Sequence, residues 1–214
     1  MGGLGAEMPV ILIRNRGHFV VDLRSTTANR FTVALTTTPA TISVLEQDVD
    51  KFVNAASFSL KDCPTFPPYL RRLLTGILQK CHGTLLGVIA QPTIGKRHGM
   101  LKDGIWLEPF ISLSQLHARA SEARTADALA DLQAAEGMLR GMIESDGVVV
   151  FGDAGTLLAY RVFLKPKSGE KGKLFEEGGG RRRAFELMKL RLSTPFKAVL
   201  FRSQDGETKC EDSK

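Results

Sequence analysis

Residues 176–192 read EEGGGRRRAFELMKLRL, so Gly178, Gly179 and Gly180 run directly into Arg181, Arg182 and Arg183. The apolar residues that follow (Phe185, Leu187, Met188, Leu190 and Leu192) predict a helix that opens at the arginines. The first N–H groups of a helix have no intrahelical partner and carry a partial positive charge. Glycines before such an end let a ligand approach the backbone closely. An anion there gains hydrogen bonds and dipole attraction together, and guanidinium forks match phosphate oxygens. Successive side chains on one helical turn point in different directions. The three arginines therefore suit a ligand with several phosphates, or one phosphate plus structural pairing. Two plainer readings compete. One is a solvated charge run beside an ordinary glycine loop. The other is a disordered basic arm that grips nucleic acid through its phosphates, although here the arginines lead straight into an apolar-patterned helix. No GxxxxGK[ST] phosphate loop occurs.

The charge of the chain is concentrated around this stretch. The 214 residues carry a net +6, but residues 161–202 alone hold twelve Lys and Arg against four acids, a local +8. The remainder therefore sums to −2. A confined positive field of this kind attracts phosphate, whether on a nucleotide or on a nucleic acid. The other chemistry-bearing residues are scattered. His18, His82, His98 and His117 lack partners at metal-ligand spacing, so no metal site is expected. Cys63, Cys81 and Cys210 form no CxxC and read as idle thiols. Ser203 has no GxSxG setting, which argues against a hydrolase triad. Asp153 and Asp205 sit in turn sequences, where aspartate is common. Trp106 and the phenylalanines read as core.

The elements that must position these groups follow from hydrophobic period and from glycine and proline punctuation. PVILIRNRGHFVVDLR reads as two strands around Asn15-Arg16-Gly17, and RFTVALTT and ATISVL as further strands. EQDVDKFVNAAS has the spacing of a helix, with Val49, Phe52 and Val53 apolar. CPTFPP, with Pro64, Pro67 and Pro68, reads as an interruption and a module boundary. YLRRLLTGILQKC buries one helical face, and GTLLGVIA is apolar and short enough for an inner strand. GIWLEPF is a short extended piece, and Ser112 or Ser114 caps a helix through LSQLHARAS. ADALADLQAAEGMLRGMI is a longer helix with Leu129, Leu132, Leu139, Met142 and Ile143 inward. DGVVVFGDAGTLLAYRVFL is two strands about Gly152–Gly155, and KAVLFRS a strand whose QDGE turn lets TKCE pair back. Helices and strands are mixed without strict alternation. The expected fold is α+β: a mixed central sheet flanked by helices (residues 66–211), with a strand-rich N-terminal module (residues 1–62). No apolar run reaches the roughly 18 residues of a membrane span, and the N-terminus lacks a secretory pattern. The expectation is a cytoplasmic protein without membrane partners.

Three of these segments together resemble the diadenylate cyclase (DisA_N) domain family. The family carries Asp-Gly-Ala at the start of a strand, Gly-Thr-Arg-His-Arg-Ala-Ala at a helix start, and a following strand that ends in a Ser-Glu turn. This chain has DGVVVF at 146–151, GGRRRAF at 179–185 and KAVLFRSQDGE at 197–207, in the same order and setting. LRRLLTGILQKCHGTLLGVIA resembles the family's leading helix and first core strand. The resemblance implies that Asp146 lies by a ribose hydroxyl and supports metal-assisted attack if the chain is active. It implies that Gly147 admits the nucleotide, that Gly179 and Gly180 belong to the phosphate loop, and that Arg181 and Arg183 hold phosphates. It also places Ser203 near the nucleotide. Family members join two ATP molecules into cyclic di-AMP across a face-to-face homodimer, with magnesium or manganese.

The departures from that pattern concern catalysis. The family's central histidine, associated with the metal, is Arg182 here; the alanine after Asp-Gly is Val148, the loop threonine is Gly180, and the glutamate of the last turn is Gln204. A guanidinium stays protonated and cannot ligate a metal as imidazole does. The expected function is therefore binding of an adenine nucleotide or cyclic dinucleotide by a sensor with an eroded catalytic motif. An active diadenylate cyclase and a nucleic-acid-binding protein using residues 161–202 stand as alternatives.

Overall fold

The structure is a computed structural model that describes residues 11–17, 20–25, 30–34, 40–90, 101, 103–166 and 179–213. His18 and His98, and the polar segment 167–178 with Gly178, lie outside the described residues. The chain forms two compact units, residues 1–44 and 45–214. The first contains an antiparallel three-stranded meander of β1 (Ile11–Gly17), β2 (Val20–Ser25) and β3 (Arg30–Ala34). Its register sets Ile13 opposite Leu23, and Leu23 opposite Phe31.

A helix, α1 (Ala40–Ala56), follows, and it corrects two expectations. ATISVL is not a strand but the opening of this helix, whose amphipathic continuation overrides the β-branched preference of a short run. The division between units falls at Val44/Leu45 rather than at the prolines, because Val49, Phe52, Val53 and Ala56 are buried in the core of the second unit. Pro67 and Pro68 do not interrupt regular structure either. They lie in the first turn of α2 (Phe66–Leu78), where a missing N–H forfeits no intrahelical bond.

The second unit is built on a six-stranded mixed sheet: β4 (Thr84–Ile89), β5 (Ile105–Ser112), β6 (Val148–Gly152), β7 (Thr156–Val162), β8 (Phe196–Arg202) and β9 (Thr208–Asp212), in spatial order β5-β7-β6-β4-β8-β9. β4 and β6 are parallel and all other pairs antiparallel. Both faces of the central strands are buried, which accounts for the unbroken apolar runs of β4 and β6. Leu86, Val88, Val149, Phe151 and Leu200 face one core, shared with α1, α2, α3 (Leu113–Ala123) and α4 (Ala126–Glu144). Leu85, Val148, Val150, Val199 and Phe201 face the other, shared with Phe185 and Met188 of α5 (Gly180–Lys189). Gly87 lets α5 close on the sheet: a Cβ there would lie 2.5 Å from the Phe196 ring and 3.1 Å from the Met188 methyl.

The helix signals are met with two exceptions. The Ser112 hydroxyl accepts from the Gln115 N–H and caps α3. Leu129 of α4 is half exposed, while Ala128, Leu132, Ala135, Leu139, Met142 and Ile143 form its buried face. Leu190 lies just past α5 and is also exposed.

His117 supplies a pH dependence. Its ring stacks on Tyr69 of α2 at 4.4 Å and meets the Phe66 ring edge-on, and the Tyr69 hydroxyl donates to Glu136 of α4 at 2.9 Å. The Nδ1 atom is buried without a partner among the described residues. Burial, then the charge of Arg72, holds the imidazole below its ordinary pKa of 6.5, with Glu136 opposing. The folded state thus resists protonation more than the unfolded chain, and His117's contribution is lost as pH falls below 6.5 towards the folded value. Urea unfolding at about pH 7.5 and about pH 5.5 should show a larger loss of stability for wild type than for His117→Phe. Equal losses would remove His117 as the cause.

Candidate functional site

The strand order gathers separate pieces of sequence at one end of the sheet. Because β4 and β6 are parallel, the residues that enter them, His82-Gly83 and Asp146-Gly147, arrive side by side. Because β8 runs antiparallel to β4, and β7 to β6, their last residues end there too: Arg202 pairs with Thr84, and Val162 with Val148. The start of α5 reaches the same place, since Arg181 Nη2 donates to Asp146 Oδ1 at 3.0 Å and Nη1 to the His82 carbonyl at 3.2 Å. Asp146 and Arg181 are 76% and 41% exposed, so the pair faces solvent.

Each local setting has a physical cause. Ser145 ends α4 by donating its hydroxyl to the Met142 carbonyl, and the chain turns through Asp146-Gly147 into β6. Gly147 adopts φ +97°, and a Cβ there would sit 2.8 Å from the Cα and carbonyl carbon of Arg161. Arg161 is itself left-handed, at φ +52°, beside a register shift between β6 and β7. The glycines quoted from the sequence behave differently. Gly179 is the N-cap of α5 at φ −66°, Gly180 is its first residue, and neither has an atom within 4 Å of a would-be Cβ. Their smallness keeps the helix entry open; neither is needed for a left-handed turn in this state.

The three arginines diverge. Arg181 turns to Asp146. Arg182 is exposed and lies towards the β8–β9 turn, where its charge joins a stronger hydrogen bond from Lys209 in holding the Glu207 carboxyl below its usual range. Arg183 is exposed, and its N–H donates to the Gly179 carbonyl. The first turn of α5 contains no acidic residue and its N-cap makes no side-chain hydrogen bond. Ser203 opens the β8–β9 turn, where its hydroxyl accepts from the Glu207 N–H at 2.9 Å. Arg202 braces that turn through the Gly206 carbonyl and the Thr208 hydroxyl.

Sequence reasoning missed three contributors: the His82 carbonyl, Gly83 and Arg161. Gly83 has φ +95°, and a Cβ there would lie 3.1 Å from the Arg202 carbonyl oxygen and 3.2 Å from Arg181 Nη1. The CHG stretch between a helix and an apolar strand was the available signal for a glycine-dependent turn. The magnesium or manganese implied by the resemblance is not matched by these side chains as a resident ion. The Asp146 carboxylate faces a guanidinium, and position 182 offers a second guanidinium with no lone pair to give. Compared with protein-family models, curated proteins and solved structures, the chain matches none.

Proposed function

We propose that the second unit binds a phosphate-bearing adenine nucleotide or cyclic dinucleotide where α5 opens beside Asp146, and that it does so as a cytoplasmic sensor resembling a diadenylate cyclase. One observation carries this reading. Arg181, on an uncapped helix N-terminus, meets Asp146 from 35 residues earlier in the chain at 3.0 Å. Arginines in the first helical turn oppose the dipole, at about 0.3–1 kcal/mol each. Three of them with no acid in the same turn form an arrangement that an anion relieves. Separate phosphates of one ligand meet Arg181 and Arg183, the N–H groups at the mouth of the helix cradle an oxygen, and Gly147 and Gly83 keep the floor low. Arg182 stands where a cyclase of this family has its histidine. A guanidinium supplies charge but takes up no proton and no metal, so nucleotide is held and not cyclised.

Calorimetric titration with ATP and with cyclic di-AMP tests the reading. Saturable binding of at least one is expected, and chromatography of the ATP mixture with manganese or magnesium should yield no cyclic di-AMP. A folded protein that binds neither ligand overturns the proposal. Cyclic di-AMP that forms in wild type and vanishes in Asp146→Asn converts it to an active cyclase.

A further inference from the structure

We infer that Asp146 is an internal competitor for the phosphate site: its carboxylate pairs with Arg181, and an incoming phosphate displaces it. This inference rests on the nucleotide reading above. Arg181 donates Nη2 to Asp146 Oδ1 and Nη1 to the His82 carbonyl, so one donor on each terminal nitrogen is engaged and the carboxylate stands where a phosphate contacting Nη2 approaches. The fixed main-chain carbonyl holds the guanidinium in place. The aspartate is the partner able to leave, because its carboxylate is 76% exposed and swings into water with little desolvation change. Exposed ion pairs of this kind are weak, which makes Asp146 a displaceable stand-in for the ligand and not a permanent lock. Removing the carboxylate therefore tightens binding, the reverse of what deleting a ligand-contacting group does.

The experiment is calorimetry of ATP in EDTA with wild type, Asp146→Asn, Arg181→Gln and the double variant, with thermal unfolding run on each. Asp146→Asn is expected to bind ATP about two- to fivefold more tightly than wild type. Arg181→Gln should bind more weakly, and in its background the Asp146→Asn gain should disappear, because the competitor no longer has anything to occupy. Equal or weaker binding by Asp146→Asn, with wild type still binding, overturns the competitor role and leaves the nucleotide reading standing. A gain that persists undiminished without Arg181 also overturns it, since it marks general charge repulsion. ATP binding by Asp146→Asn, but not by a wild type that binds cyclic di-AMP, supports it. Binding of neither ATP nor cyclic di-AMP by either protein removes the nucleotide reading and this inference together. Asp146→Ser repeats the comparison should the asparagine variant fail to fold.

Discussion

Arg181→Ala combined with Arg183→Ala is expected to abolish the ATP or cyclic di-AMP response of a protein that still folds. Hydrogen bonds to charged groups contribute about 1.5–3 kcal/mol each. Two lost phosphate contacts therefore amount to about 3–6 kcal/mol, a factor of about a hundred to ten thousand in Kd. The exchange with Asp146 returns no more than about 1 kcal/mol of this, the scale of an exposed ion pair. Arg181 should account for more of the loss than Arg183, because it is the arginine that the His82 carbonyl fixes towards Asp146. The same change should leave the melting temperature level or slightly raised. The arginines are not core residues: Arg183 is exposed, Arg181 is 41% exposed, and both lie in a first turn where cations oppose the helix dipole. Calorimetry and thermal unfolding on one preparation check both halves. Undiminished binding would move the ligand away from α5, and a collapsed melting transition would recast the arginines as structural.

The second large effect concerns Gly147, and its readout is stability. An alanine there must hold φ +97° and place its Cβ 2.8 Å from backbone atoms of Arg161, which belong to a strand and cannot swing aside. Left-handed backbone costs a non-glycine residue about 1–2 kcal/mol, and overpacking about 1–3 kcal/mol. Gly147→Ala should therefore lose about 2–5 kcal/mol in urea denaturation. Gly180→Ala is the informative contrast, since its Cβ meets nothing within 4 Å and the residue is helical. It should be neutral or stabilising by up to about 1 kcal/mol. Equal destabilisation by the two would mean that the approach of β7 to Gly147 is not the constraint described. The contrast also separates two kinds of glycine that look alike in the sequence: one required by backbone geometry, the other leaving space at a helix mouth.

Much of the second unit was legible because its signals are local. The uninterrupted GTLLGVIA predicted an inner strand, DGVVVFGDAGTLLAYRVFL predicted β6 and β7 about the Gly152–Gly155 turn, and QDGE predicted the return of β9 onto β8. The opening of α5 at the arginines was legible for the same reason, as apolar period and glycine punctuation meet there. Where local rules failed, long-range packing had decided. ATISVL was absorbed into α1, whose later residues Val49, Phe52 and Val53 anchor in the core, and Leu129 was left outside the buried face that α4 forms with Leu132, Leu139 and Ile143.

The arginine run and the helix that presents it were determined by sequence alone, since charge, apolar period and glycine punctuation are properties of one short segment. What those residues face was decided only by tertiary structure. The order β5-β7-β6-β4-β8-β9 lays the parallel entries of β4 and β6 side by side. It brings Asp146 and the His82 carbonyl, 35 and 99 residues away in sequence, onto one guanidinium. Strand order depends on which apolar faces pack across the whole sheet, and no window of residues around Arg181 contains that information.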